Sequence, residues 1–164
     1  MKKCLLLLLL IFYGCSKDES SSKKLIDLIN GNVYTADLNQ ENRLYIIDKS
    51  NKYFPVTRAI MSNGAFECMR NLYMTKDAEG RFLRTEIIVN NETRYEVHTY
   101  VRLTYDGTKE ARGIVILSSS NGPDIINFQY YEDIDGVQED NLVENIYLNN
   151  NYKSDNFCSS FIQD

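Results

Sequence analysis

Arg58 lies between Val56 and Ile60, Arg70 between Cys68 and Leu72, and Arg84 between Phe82 and Glu86, each in the phase of an alternating stretch that is otherwise largely apolar. A period of two marks a strand with one buried face and one wet face, so three guanidinium groups are expected to point inward. A buried guanidinium is costly unless it is paired. The chemistry this invites is the holding of a carboxylate, supplied either by Glu86 and other acids at a rim or by an anionic ligand, and both remain open at this point.

The other reactive residue types do not assemble into a catalytic set. The one histidine, His98, falls in the polar phase of its stretch, so it supplies no base to Cys68 and completes neither a triad nor a metal site. Glu132-Asp133-Ile134-Asp135-Gly136 opens an acidic run to Asp140, but the glycine directly follows the second aspartate, which does not match EF-hand spacing, and a solvated acidic hairpin loop is expected. Asn91-Glu92-Thr93 fits a glycosylation sequon and is expected to be incidental. Tyr130, Tyr131 and Tyr100 are candidates for an aromatic partner patch, or simply good strand formers. No catalytic residue, metal site or cofactor is expected, and the chain is not expected to be an enzyme.

The elements that must position the arginines are strands. The longest alternation, 94–105, places Tyr95, Val97, Thr99, Val101 and Leu103 opposite in phase to Arg94, Glu96, His98, Tyr100 and Arg102, between Asn90-Asn91 and Asp106-Gly107 turn signals. Further strands are expected over 33–37, 43–48, 53–61, 65–74, 82–89, 111–118, 125–131 and 142–148, after a helical turn or apolar cap at 25–29 ended by Asn30-Gly31. Short polar connections leave no room for crossover helices, which predicts an all-β fold: an antiparallel up-and-down meander of eight or nine strands, closed into a barrel because closure removes exposed edges.

Register follows from pattern. Three-residue loops at Ser62-Asn63-Gly64 and Ser120-Asn121-Gly122 set Ile60 against Phe66, Val56 against Arg70, Ile116 against Ile126 and Ile114 against Phe128. A two-residue turn at Asn90-Asn91 sets Arg84 against Val97 and Glu86 against Tyr95. The expected inner face holds Phe54, Val56, Ile60, Phe66, Leu72, Phe82, Ile88, Tyr95, Val97, Val101, Ile114, Ile116, Ile126 and Phe128, with Cys68 also inward.

Residues 1–14 have a basic start and an apolar core of about eight residues, shorter than the ~20 a spanning helix requires, so they read as an export signal. Phe12-Tyr13-Gly14-Cys15 resembles a bacterial lipobox, which implies acyl chains on Cys15 as the first mature residue and durable membrane attachment; the alternative is an ordinary secretory signal with Cys15 as an incidental thiol. The tether 15–24 is polar and flexible. Ser16 after the cysteine resembles outer-membrane sorting, and Asp18-Glu19 resembles the surface-export signals of Bacteroidota lipoproteins, which together imply a lipid-anchored place on the outer membrane or cell surface. One domain, 25–164, remains. Cys68 and Cys158, the two cysteines left after lipidation in an oxidising compartment, are a candidate disulfide that would close a loop of about ninety residues, worth about 4 kcal/mol in the chain-entropy model.

Gly31-Asn32-Val33-Tyr34, following an apolar segment and entering the first strand, resembles the Gly-x-Trp opening of lipocalin-like barrels. Such barrels hold carboxylate ligands with interior Arg and Tyr, which the resemblance implies for Arg58, Arg70, Arg84 and Tyr95. The expected function is a lipid-anchored envelope binding protein taking a small apolar or anionic ligand. The alternative is an envelope-anchored inhibitor or immunity protein for a basic partner such as a lysozyme-type hydrolase, which the net charge of −5 suits. The same charge, with no basic stripe, disfavours nucleic acid.

Overall fold

A computed structural model of the chain describes residues 22–37, 42–51, 54–69, 81–102, 110–134 and 136–154. The leader 1–14, Cys15, the tether through residue 21, Arg70, Leu72, Asp135 and Cys158 lie outside the described residues. Within them the chain forms one short helix, α1 (Leu25–Ile29), and nine strands: β1 (Val33–Thr35), β2 (Arg43–Ile47), β3 (Val56–Ser62), β4 (Ala65–Met69), β5 (Arg81–Asn90), β6 (Arg94–Arg102), β7 (Glu110–Ser118), β8 (Ile125–Ile134) and β9 (Val137–Leu148). The fold is all-β and the sheet antiparallel, in the order β4-β3-β2-β1-β9-β8-β7-β6-β5.

That order is a meander whose first and last strands are neighbours, with Tyr34 opposite Leu148 and Thr35 opposite Tyr147. Among the described residues the sheet is open between β4 and β5. Among these nine strands, eight successive antiparallel pairings leave the two edge strands running in the same direction, so they alone do not close antiparallel, which takes an even number of strands. The sheet is nevertheless strongly curled. The rings of Tyr45 on β2 and Phe128 on β8 lie 5.2 Å apart, although three strand spacings, about 14 Å on a flat sheet, separate their strands.

Inside the curl, Tyr34, Tyr45, Ile47, Val56, Tyr95, Val97, Val115, Leu117, Ile126, Phe128, Tyr130 and Ile146 form one buried cluster. α1 plugs one end of it with Leu25, Ile26 and Ile29, and is tied to the β5–β6 turn by the Leu25 amide donating to the Asn91 carbonyl at 2.8 Å. Gly31, at φ 81°, turns the chain from the plug into β1.

A second apolar layer covers the other face of β1–β4. Val33, Leu44, Ile46 and Ala59 are buried there, with Phe66, Cys68 and Tyr152 packed against them. The segment after β9 crosses this face: the Asn149 amide donates to Val33 at 2.8 Å, and Tyr152 stands edge-on to Phe66 at 6.1 Å. Four successive residues of β2, Leu44 to Ile47, are therefore all buried, as in strands covered on both sides.

This second layer corrects the expected register at residues 62–64. Ser62 pairs with Ala65, Met61 with Phe66 and Ile60 with Glu67, around a two-residue turn in which Asn63 (φ 51°) and Gly64 (φ 81°) both take the left-handed conformation. The three-residue loop would have placed Phe66 on the inner face. With the outer face equally apolar, pattern no longer penalises the slip, and the Asn-Gly preference for the tighter turn wins. Phe66 and Cys68 are thus outward, not inward.

At the other repeat of that tripeptide the loop is longer. Ser118 pairs with Asn127, so Ile116 faces Gln129 and Ile114 faces Tyr131. Val115 and Leu117 take the inner positions expected for Ile114 and Ile116. The Tyr34 hydroxyl donates to the Pro123 carbonyl at 2.7 Å and Leu148 N–H to Asp124 at 2.8 Å, which hold this loop down against β1 and β9. The β5–β6 turn is also longer than two residues, with Asn90 opposite Tyr95 and the Asn91 side chain accepting from the Thr93 and Arg94 amides. Bulges after Phe82 and Ile87 complete the change: Arg84 faces Tyr100 and Glu86 faces His98, which puts both on the outer face, and Ile88 is exposed.

The helical plug yields a direct test. Ile29 is fully buried, so Ile29→Ala should cost about 2–5 kcal/mol, whereas Leu28→Ala, 40% exposed, should stay within about 0.5 kcal/mol; urea unfolding monitored by tyrosine fluorescence distinguishes them.

Candidate functional site

The inner face is apolar except for a few charged residues placed in its phase. On β3, Arg58 is partly buried between Val56 and Ile60 and directly opposite Tyr45 of β2. On β9, Glu144 interrupts the series Leu142, Ile146 and Leu148 and lies opposite Phe128. On β8, Glu132 follows Ile126, Phe128 and Tyr130 in the same phase and is buried. The strands form because their β-branched and aromatic residues pack on neighbours; the charges are carried inward by that packing.

Glu144 is the hub of the visible contacts. The Tyr45 hydroxyl donates to its Oε1, and Arg43, at the start of β2, reaches its Oε2 at 3.5 Å. Burial pushes the Glu144 carboxyl above the ordinary carboxylate range, with Arg43 pulling the other way. Its side chain is 18% exposed and that of Arg43 45%, so the carboxylate is held at the boundary between the packed core and solvent.

Inner positions on the facing wall are small. Thr85, Thr99 and Gly113 stand in one row with Glu132 across β5, β6, β7 and β8, and Ala111 follows on β7. The end near α1 is instead filled by Tyr34, Tyr45, Phe128 and Tyr130, all fully buried. The edge of β5 carries an apolar lip, with Ile87 58% and Ile88 49% exposed.

Of the four residues expected to hold a ligand, the structure does not gather the set. Arg58 is on the inner face. Tyr95 is inside too, but it belongs to the packed end, in one row with Leu117 and Phe128, and burial raises its hydroxyl pKa. Arg84 is outward: its side chain, 48% exposed, pairs with Glu86 at 2.9 Å and Glu110 at 3.3 Å and lies 3.7 Å over the Tyr100 ring. The bulge between Ile87 and Val89 is the reason. Arg70 lies outside the described residues. Cys68 is disulfide-bonded, and its outward position beside Tyr152 puts it on the face crossed by the C-terminal segment.

Sequence reasoning missed Glu144, Arg43 and Tyr45. The available signal was the phase of Glu144 among Leu142, Ile146 and Leu148, the same signal that singled out Arg58. His98 is outward as expected, 2.8 Å from Glu96. Burial pushes Glu96 up, but hydrogen bonds from Arg94 and His98 outweigh it and leave its pKa lowered. Tyr130 of the suggested aromatic patch is in the core. Among the described residues no three His, Cys, Asp or Glu side chains gather as a metal site, and no helix is long and apolar enough to cross a membrane.

Comparison with protein-family models, curated proteins and solved structures finds no match to the chain.

The Glu144 contacts set two expectations. A carboxyl whose pKa is raised on folding takes up protons as the chain folds, so its stability contribution is present below the unfolded pKa and declines as pH rises through the folded one. Glu144→Gln, which keeps an acceptor for Tyr45, should therefore match or exceed the wild-type Tm at pH 7.5, with the difference shrinking by pH 4. Tyr45→Phe should instead cost about 1–3 kcal/mol at pH 7.5, because it strips a donor from a partly buried carboxylate. Thermal unfolding across pH checks both.

Proposed function

We propose that the chain is a lipid-anchored binding protein of the bacterial envelope, held on the outer membrane or cell surface by acyl chains on Cys15, whose curled sheet acts as a lipocalin-like wall around a small apolar or anionic ligand. The observation that carries this reading is Arg58, a guanidinium kept on the inner face between Val56 and Ile60, across from Tyr45. Arg58 would orient the acidic end, and the lip at Ile87 and Ile88, exposed on β5, would meet the apolar body. Arg84, committed to Glu86, Glu110 and Tyr100 on the outer face, has no part in it.

The test uses the full chain in its membrane. Cells producing it are fed a photo-crosslinkable fatty acid, irradiated, and the labelled peptides are mapped by mass spectrometry, which separates metabolic acylation at Cys15 from ligand capture. Crosslinks on β2, β3 or β9 that fall at least about tenfold in Arg58→Met, the loss of one charge-assisted bond, and persist in Arg58→Lys and Arg84→Met support the reading. Label confined to Cys15, or indifferent to Arg58, overturns it.

A second reading draws on the solid packing of Tyr34, Tyr45, Phe128 and Tyr130 beneath α1: a filled domain whose acidic surface blocks a basic partner. Stoichiometric loss of lysozyme-type hydrolase activity on adding the full chain, with no fatty-acid label inside the sheet, would favour it. Under either reading we assign Cys158 as the partner of Cys68. Cys158→Ser and Cys68→Ser should then lower stability equally, by about 4 kcal/mol, and a difference between them larger than the cavity effect of the serine at Cys68 would point to another pairing.

A further inference from the structure

We propose a second binding site on the outer face of the β6–β9 sheet, for a neutral, hydroxyl-rich ligand of the size of a short saccharide. A hollow of about 370 Å³ lies there, lined by Arg94, Ser118, Asn127, Asn145, Ile125 and the Ser119–Asn121 loop beside Thr93. It does not communicate with the inner face by any shared residue, so it stands apart from the Arg58 reading.

The lining is built by register. Arg94, Ser118, Asn127 and Asn145 are direct cross-strand partners in one row over four strands. Adjacent strands are about 4.8 Å apart, close to the length of a pyranose ring, so the row presents one polar side chain per sugar-sized step. The wall above the row is fixed by backbone bonding, since the Ser119 amide donates to the Thr93 carbonyl at 2.9 Å and the Ser119 hydroxyl donates to Gly122. Ile125, 47% exposed, offers an apolar edge.

The second observation is a directional relay of side chains into the hollow. The Tyr131 hydroxyl donates to Gln129 Oε1 at 2.9 Å, Gln129 Nε2 to Asn127 Oδ1 at 2.6 Å, and Asn127 Nδ2 to Asn145 Oδ1 at 3.1 Å. Every amide on the way has its oxygen accepting, which fixes its flip. The relay ends on the Asn145 Nδ2 donors, held at the hollow with their direction set before any ligand arrives, and such preorganisation lowers the cost of binding.

The same inventory excludes the other classes. An anion finds one cation in the lining, and Arg94 already gives Nε and Nη2 to Glu96 Oε2 at 3.2 and 2.7 Å, leaving little net charge to attract it. An apolar ligand finds one isoleucine among hydroxyls and amides. Hydroxyl groups, which both donate and accept, match amides, serines and a half-spent guanidinium, and the C–H face of a sugar matches Ile125.

The experiment is biolayer interferometry with the full-length chain in a non-glycosidic detergent against immobilised neutral trisaccharides (chitotriose, maltotriose and mannotriose), with galacturonic acid trimer and inorganic phosphate as competitors. Binding to at least one neutral trisaccharide is expected, weakened about tenfold or more by Asn127→Ala and by Asn145→Ala and unchanged by Arg58→Met. Gln129→Leu, which leaves the hollow's lining intact but breaks the relay, should weaken it less than either. No neutral trisaccharide bound, binding indifferent to Asn127 and Asn145, or displacement by phosphate that depends on Arg94 alone would each overturn the proposal. Unchanged thermal unfolding of the surface variants separates lost binding from lost fold.

Discussion

The structure depends on one long-range pairing, β1 against β9. It joins a four-stranded run, β1 to β4, to a five-stranded run, β5 to β9, each of which is otherwise held by hairpins between sequence neighbours. β1 is three residues long and its contact with β9 is two residue pairs, Tyr34 with Leu148 and Thr35 with Tyr147. Such a short ladder across more than a hundred residues carries a large loop-closure cost. What offsets it is burial: Tyr34 and Thr35 are fully buried, α1 plugs the same cluster directly before β1, and the chain after β9 returns across Val33. The described segments before β1 and after β9 are thus packed around the same strand.

That arrangement explains how far the sequence could be read. β6 was legible because its outer face meets solvent: Tyr95, Val97, Thr99 and Val101 inside, and Arg94, Glu96, His98 and Tyr100 outside, follow pattern alone. The nine strands and their antiparallel sense were legible for the same reason, through turn residues and alternation. The β3–β4 register was not, because the covering layer that makes Phe66 and Cys68 comfortable on the outside comes from Tyr152, more than eighty residues later in the chain and invisible to local pattern. The face of Arg84 was misjudged for a different reason. Bulges insert single residues into an edge strand, and nothing in Arg-Phe-Leu-Arg-Thr-Glu announces where the extra residue falls.

Of the residues around the candidate site, pattern placed Arg58 inward and missed its neighbours. One arginine, Arg58, stands on the inner wall; the carboxylate and hydroxyl that organise that wall, Glu144 and Tyr45, belong to strands whose charged and aromatic residues raised no flag by themselves. A tyrosine is an ordinary strand former, and a lone glutamate in a strand usually faces water. Only the three-dimensional curl, which brings β2 over β9 and β8, turns them into one constellation.

Charges in the apolar phase of three separate strands bear on how the interior is packed. Packing alone would favour apolar residues at Arg58, Glu132 and Glu144, since replacing buried ionic groups by well-packed apolar ones is often neutral or stabilising. Around Tyr34, Tyr45, Phe128 and Tyr130 aromatic rings fill the interior, and two of their hydroxyls reach polar partners, Tyr34 the Pro123 carbonyl and Tyr45 the Glu144 carboxylate. Of the three charges only Glu132 stands in the row of small residues Thr85, Thr99 and Gly113, whereas Glu144 shares the row of Tyr95, Leu117 and Phe128, and Arg58 faces Tyr45. Inward charge is thus set among the packed rings as well as beside them, and the burial of those rings offsets the stability that the charges give up.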